Sequence, residues 1–306
     1  MNAAIKSGMS VRDILIALAV VTIWGVNFVV IKIGLQDLPP ILFTALRFTF
    51  AALPLVLFIK RPAADWRMVA AYGMFQFAFQ FTLLFTGIKL GLPAGLASLV
   101  IQLQAFFTIG MAVLLLGERP QAVQLIGAVV AFSGMGVVAL HLDGKATLIG
   151  FVLVVLGGVC WALANIVTKK MGKIDALALV VWGSLFAAPP LWLASYLAEG
   201  PAAWQHAAAQ FSIKTLGAVL FQSYPNTILG FGIWSMLMRK YATATIAPFT
   251  LLVPVAGMIS AAIVLGEPLQ SWKIGAGMLV LGGLALNQFG ARLWASVRPG
   301  RRSQGI

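Results

Sequence analysis

Residues 112–121 read AVLLLGERPQ, and residues 261–270, at an offset of 149, read AAIVLGEPLQ. Both stretches run an apolar helix into Leu-Gly-Glu and then a proline, which cannot continue it. The register sets Glu118 opposite Glu267, and the helices that follow open alike, with LIGAVV at 125–130 and KIGAGM at 273–278. An earlier pair matches as well. WGVNFVVIK (24–32) and WALANIVTKK (161–170) each carry a Trp, an Asn three or four residues on, and a Lys five residues after that: Trp24, Asn27, Lys32 and Trp161, Asn165, Lys170. The chain therefore reads as two copies of one unit, residues 1–142 and 143–306, the second ending in a basic tail.

The composition says where those units live. Of the 306 residues, 61% are hydrophobic and 9% charged, against about 25% charged in a soluble domain. This predicts an all-α integral membrane protein with the lipid bilayer as its surroundings. About 20 apolar residues cross the hydrocarbon core as a helix. Ten such runs are legible, roughly 13–33, 40–60, 67–88, 94–116, 122–141, 148–168, 176–197, 212–238, 244–265 and 271–291. Short connections marked by DLPP, LGLP, GERP and DGKA join most of them, and only the stretch near 198–211 is longer. Five spans per copy is an odd number, so the second copy enters the membrane from the opposite side. Inverted repeats of this kind build secondary transporters, with the site at the midplane between the halves. Duplication inside a purely structural membrane protein would leave the same trace.

Lys and Arg in short loops set orientation. With the N-terminus inside, Lys6, Arg12, Lys60, Arg61, Arg67, Arg119, Lys169, Lys170, Lys173, Arg239, Lys240, Arg292, Arg298, Arg301 and Arg302 fall inside. Lys32, Lys89, Lys145, Lys214 and Lys273 fall outside, and Arg47 is left in the membrane. Both termini are expected in the cytoplasm. The net charge of +13 is then a topology signal and not a nucleic-acid footprint. Cys160 is the one cysteine, which leaves no disulfide and no Cys-rich metal site. No cleavable leader is expected, because the first apolar run is long enough to span. The two histidines, His141 and His206, lie apart near helix ends and make neither a metal site nor an enzyme. No cofactor is expected.

WGVNFVVIKIGL, ALRFTFAALP, GLASLVIQLQAFFTI, LLVPVAGMISAAIVLGE and the two LGE ends resemble the drug/metabolite transporter superfamily, in its ten-helix EamA-type branch. The Gln-x-Gln-Ala-Phe-Phe run and PPILFTALRF are most similar to the bacterial exporters of cysteine and O-acetylserine. The resemblance implies a bacterial inner-membrane exporter of small amino acids or metabolites with a central cavity between its two halves; a monomer is expected.

The polar residues in the spans are the candidate site. Gln102 and Gln104 fall opposite Leu251 and Val253 in the second copy, so the fold does not need an amide there. Two residues apart on an α-helix point about 200° apart. Ser98, Gln102 and Phe106 form one stripe, and Gln104 and Thr108 another. One stripe is expected to line the cavity and the other to bond a neighbouring helix, although both amides are able to serve as interhelical glue. Asn27 and Asn165 sit at matching mid-helix places, suited to a zwitterion or to pinning a helix crossing. Arg47 is costly in a membrane and faces a cavity or partner, as an anchor for a substrate carboxylate or as a structural arginine. Gln80 joins these candidates. Trp24, Phe79, Phe106, Trp161, Trp182, Tyr224 and Trp234 are candidate walls of a cavity or plain packing. Glu118 and Glu267 read as caps or gate hinges, and Pro248 and Pro254 as breaks where a helix bends.

No Asp or Glu falls in the middle third of a span, which argues against a carboxylate proton relay. No GxxxxGK[ST] loop is present, so ATP is not the expected drive. The expectation is alternating access around a small neutral or zwitterionic solute. The competing readings are export of another metabolite class, such as nucleoside or sugar-like solutes, and a lipid flippase.

Overall fold

A computed structural model of the chain describes residues 9–142 and 148–297, with side chains described at all but 243–244 and 291–297. Lys6, Lys145, Arg298, Arg301, Arg302, the side chain of Arg292 and the 143–146 stretch at the boundary between the copies lie outside the described residues. Among the described residues the structure is helical throughout, with no strand. The first copy holds α1 (Val11–Gly34), α2 (Pro40–Leu57), α3 (Trp66–Lys89), α4 (Ala94–Leu116) and α5 (Ala122–Leu140). The second holds α6 (Leu148–Met171), α7 (Ala176–Ala198), α8 (213–240), α9 (Ala247–Leu265) and α10 (Ser271–Val297). The stretch near 198–211 forms a short helix, Gly200–Gln210, tied down by Trp204 Nε1 donating to Ser195 Oγ at 2.8 Å.

Judged on the described residues, eight of these segments are long and apolar enough to cross a membrane. Of the other two, α8 has a polar run at its middle (Gln222 to Thr227), and the side chains of α10 from residue 291 on lie outside the described residues. Large apolar side chains such as Leu114, Ile213, Ile263 and Met278 are exposed on the outside of the bundle, as lipid-facing positions require.

Local chemistry sets the helix ends. The Ser10 and Asp175 side chains accept from Asp13 N at 3.2 Å and Ala178 N at 2.9 Å, capping α1 and α7. Gly117 and Gly266 close α4 and α9 in the left-handed region, each at φ 67°, a conformation glycine adopts without a Cβ penalty. The LGE motif thus encodes the same turn twice.

The interior irregularities also repeat. A π-helical stretch interrupts α3 at Met74–Phe79 and α8 at Gln222–Leu229. A 3-10 turn occupies α4 at Ile101–Leu103 and the start of α9 at Ala247–Leu251. Pro225 and Pro248 account for the breaks in the second copy, since proline withdraws a donor from the helix ladder. The first copy makes the same breaks without proline.

Helix pairings respect the duplication. α5 packs on α10, α2 on α7 and α4 on α9, each pair being its own mate when the copies are exchanged. α1 packs on α9 as α6 packs on α4, and α3 on α6 as α8 on α1. Lipid supplies no hydrophobic drive between helices, so close packing of small residues carries the association. A Cβ at Gly127 would stand 2.6 Å from the Gly283 carbonyl oxygen, and one at Gly283 would stand 2.8 Å from both Ala131 N and Cβ. Gly283→Val should therefore force α5 and α10 apart and cost about 1–3 kcal/mol, as overpacking does. Gly282, beside it, faces open space. Thermal unfolding in detergent should show a lowered midpoint for Gly283→Val and little change for Gly282→Val.

Candidate functional site

Where α1–α4 of the first copy meet α6, α8 and α9 of the second, a cavity of about 270 Å³ remains. That is just below the roughly 300–1,000 Å³ of pockets for drug-sized ligands, and is the scale of a small metabolite. Its polar lining is Asn27, Arg47, Gln76, Gln80, Gln102, Gln104, Asn226 and Thr250, and its walls include Trp24, Phe81, Trp161, Phe231 and Trp234. Among the described residues no carboxylate contributes to it.

The helix breaks put these groups there. Gln102 and Gln104 both line the cavity although two residues apart, because Ile101–Leu103 is a 3-10 turn. At three residues per turn their directions differ by about 120° in place of about 160° in an α-helix. The π stretches do the same for Gln76 and Asn226, and Gln76 Nε2 donates to Gln80 Oε1 at 2.8 Å. Gly230 leaves room for the Trp24 indole, whose Nε1 donates to the Asn226 carbonyl at 3.1 Å.

Arg47 is the single charge in the lining, and it is 1% exposed. Its Nε and Nη2 donate to Thr227 Oγ1 at 3.3 and 3.0 Å. The guanidinium lies 3.9 Å from the centroid of Phe81 and 4.9 Å from that of Phe48. Nη1 has no partner, and neither does Oδ1 of Asn27 or of Asn226, all three being buried. Leaving such groups unpaired costs about 1–3 kcal/mol each, more for a charge.

Other candidate residues sit elsewhere. Ser98 donates to the carbonyls of Gly95 at 2.7 Å and Pro254 at 3.4 Å and packs on Gly257, joining α4 to α9. Phe106 meets Phe132 of α5. Asn165, the repeat mate of Asn27, donates to Gln104 Oε1 at 2.9 Å and Thr108 Oγ1 at 3.1 Å, tying α6 to α4. Trp182 donates to the Ile59 carbonyl at 3.1 Å beside Trp66. Tyr224, Phe79, Pro248 and Pro254 also lie outside the lining. The lining adds Gln76, Asn226 and Thr250, which sequence reasoning missed. A signal for the first two was present: FQFAFQ at 75–80 and FQSYPN at 221–226 place an amide, then a second amide four residues on, in both copies.

The two ends of the bundle are held differently. At one end Glu267 accepts from Ala94 N at 2.8 Å and Gly95 N at 3.0 Å. There Glu199 accepts from Ile41 N at 2.6 Å and Leu42 N at 2.9 Å, and Asp37 from Thr215 Oγ1 at 2.5 Å. All three bridge the copies. At the other end Glu118 pairs with Lys169 at 2.5 Å, with both side chains about half exposed, an arrangement worth about 0–1 kcal/mol. Asp13 there takes hydrogen bonds from Lys240 Nζ and Tyr241 Oη, each at 2.5 Å.

Two like helical units around a polar cavity shielded from lipid form the arrangement of a small-molecule transporter. The chain belongs to the EamA-like transporter family, whose pattern it matches twice, over residues 12–140 and 148–289. It is 40% identical over 300 residues to a "Probable amino-acid metabolite efflux pump" of Salmonella typhimurium, covering 95% of this chain and 99% of that one. A protein of the same description in Escherichia coli is 38% identical over 302 residues, covering 95% and 100%. A "Probable terminal-alkyne amino-acid exporter" of Streptantibioticus cattleyicolor is 27% identical over 302 residues, covering 94% and 97%. A crystal structure shares the fold with a TM-score of 0.64 at 18% identity, over 94% of this chain and 99% of that chain. The protein is thus an EamA-type exporter with a small-molecule substrate, a multi-pass protein of the bacterial inner membrane.

Asn165 and Gln102 separate packing from lining. Asn165→Leu removes two interhelical hydrogen bonds, each worth about 0.6 kcal/mol and at most about 1.7 in a membrane. It should lower the unfolding midpoint in detergent, whereas Gln102→Ala should leave the midpoint close to wild type.

Proposed function

We propose that the protein exports small amino acids and related metabolites, cysteine and O-acetylserine among them, by alternating access around the central cavity. The observation that carries this reading is the lining itself: neutral amides and one cation drawn from both copies, at the junction where inverted repeats bind their substrates. Neutral amides suit a zwitterion. With no carboxylate in the lining, the substrate moves down its own gradient. The cavity is complete within one chain, so a monomer suffices.

In this reading all ten segments cross the membrane, the second copy inverted, with both termini cytoplasmic on the Lys and Arg distribution. The end tied by Glu267, Glu199 and Asp37 then faces outward and is shut, and the cavity is reached from the cytoplasm. Exchange of the copies gives Glu118 the role of Glu267 in the other state. It would release Lys169 and cap the start of the ninth span while the outer end opens.

Efflux of labelled cysteine, O-acetylserine and a panel of other amino acids from preloaded proteoliposomes tests the function. Saturable efflux by wild type, reduced about tenfold or more in Gln102→Ala protein that still folds, is the expected result. Absence of efflux for every amino acid would move the substrate to another chemical class, and lumenal acidification in step with transport would overturn the gradient-driven cycle. The orientation has its own check. In a Cys160→Ala background, Thr250→Cys should react with a membrane-impermeant thiol reagent applied from the cytoplasmic side. Reaction from the outside alone would reverse the assignment.

A further inference from the structure

Three buried polar atoms of the lining lack partners, and their chemistry is complementary. Arg47 offers a cationic donor at Nη1, while Asn27 and Asn226 offer two neutral acceptors, each an Oδ1. The Arg47 side chain is held by bonds that do not use the free atom, and the two asparagines are tied to other helices through their main chain. Thr227 takes the other two guanidinium donors of Arg47, and Phe81 covers its face at 3.9 Å. The main-chain carbonyl of Asn27 accepts from Gln222 Nε2 at 3.3 Å, and that of Asn226 from Trp24 Nε1 at 3.1 Å. All three residues line the cavity at 5% exposure or less, each with one buried polar atom unpaired, a cost that a ligand of matching chemistry would relieve.

We propose that the cavity reads both charged ends of an α-amino acid, with the substrate carboxylate on Nη1 of Arg47 and its ammonium shared between Oδ1 of Asn27 and Oδ1 of Asn226. This rests on the exporter reading above and specifies how that site recognises its cargo. The alternatives fit less well. A cation lacking a carboxylate meets Arg47 with no carboxylate in the lining to offset the repulsion. An anion lacking an ammonium leaves two buried carbonyl oxygens bare. Recognition by the backbone end leaves Gln102, Trp161 and Thr250, from other helices, to face the side chain. The exporter therefore discriminates strongly at the amino and carboxyl groups and loosely among small side chains.

The test is competition in counterflow by the full-length protein in proteoliposomes. The labelled substrate is whichever of cysteine, serine, leucine and phenylalanine is carried best. The competitors are the unlabelled amino acid, its carboxamide and its N-acetyl derivative. The carboxamide has lost the carboxylate, and the N-acetyl form the ammonium. Each derivative should need about ten- to a hundredfold more than the parent for half-inhibition, the loss expected when a buried charged or polar group is left unpaired. Asn226→Leu should narrow the gap for the N-acetyl form and preserve that for the carboxamide. The wild-type series stands by itself if a variant fails to fold. A derivative competing as well as the parent would overturn the proposal while leaving the exporter reading intact. Failure of wild type to carry any of the four, O-acetylserine or any other amino acid would overturn the amino-acid export reading, and this proposal with it.

Discussion

A guanidinium held away from water inside a helical membrane protein is the constraint around which the structure is arranged. Arg47 is 1% exposed, and in such surroundings a charge persists only if protein groups replace its hydration. Thr227 supplies the replacement, and is free to do so because α8 is not a regular helix there. Its hydroxyl donates to the Gln222 carbonyl at 2.7 Å, within the π-helical stretch around Pro225. Ser223 of the same stretch donates to the Arg47 carbonyl at 2.9 Å. The charge on α2 and the break in α8 thus need each other. The cavity lies beside them, lined by Arg47 of α2 and Asn226 of α8.

Much of this was legible in the chain. The LGE repeat, the Trp-Asn-Lys echo and the apolar runs set out a duplicated helical membrane protein, and the lining includes Arg47, Asn27, Gln80, Gln102, Gln104, Trp24 and Trp161 among the residues singled out by polarity or by position in the repeat. What stayed hidden depended on departures from ideal helix geometry. Stripe reasoning at 100° per residue separates Gln102 from Gln104 and groups Ser98 and Phe106 with the former. The 3-10 turn at Ile101–Leu103 undoes that, leaving Ser98 to the α4–α9 contact. Gln76 and Asn226 face inward through π stretches that no apolar periodicity reveals, although the paired FQ motifs mark them. Asn165 shows the limit of repeat symmetry, since its mate Asn27 lines the cavity while it binds Gln104 and Thr108.

Those differences between mates have a physical meaning. A carrier built from two like copies with a two-fold relation is symmetric in sequence and asymmetric in any one state. The two LGE glutamates illustrate this. Both follow a left-handed glycine at φ 67°, yet Glu267 accepts from two backbone amides at the start of α4 while Glu118 pairs with Lys169 at the exposed opposite end. Half-buried carboxylates hold one end, Glu267 and Glu199 on backbone amides of the first copy, while the half-exposed Glu118–Lys169 pair and buried Asp13, bonded to Lys240 and Tyr241, hold the other.

The central claim, that the orphaned donor of Arg47 is the anchor of the substrate site, is tested most directly by an experimental structure of the protein with a bound amino acid. The account predicts ligand density in the central cavity, with carboxylate oxygen within about 2.7–2.9 Å of the Arg47 guanidinium, the range of charge-assisted hydrogen bonds. An amino acid bound elsewhere, or bound in the cavity with Arg47 turned away to protein groups alone, would contradict it.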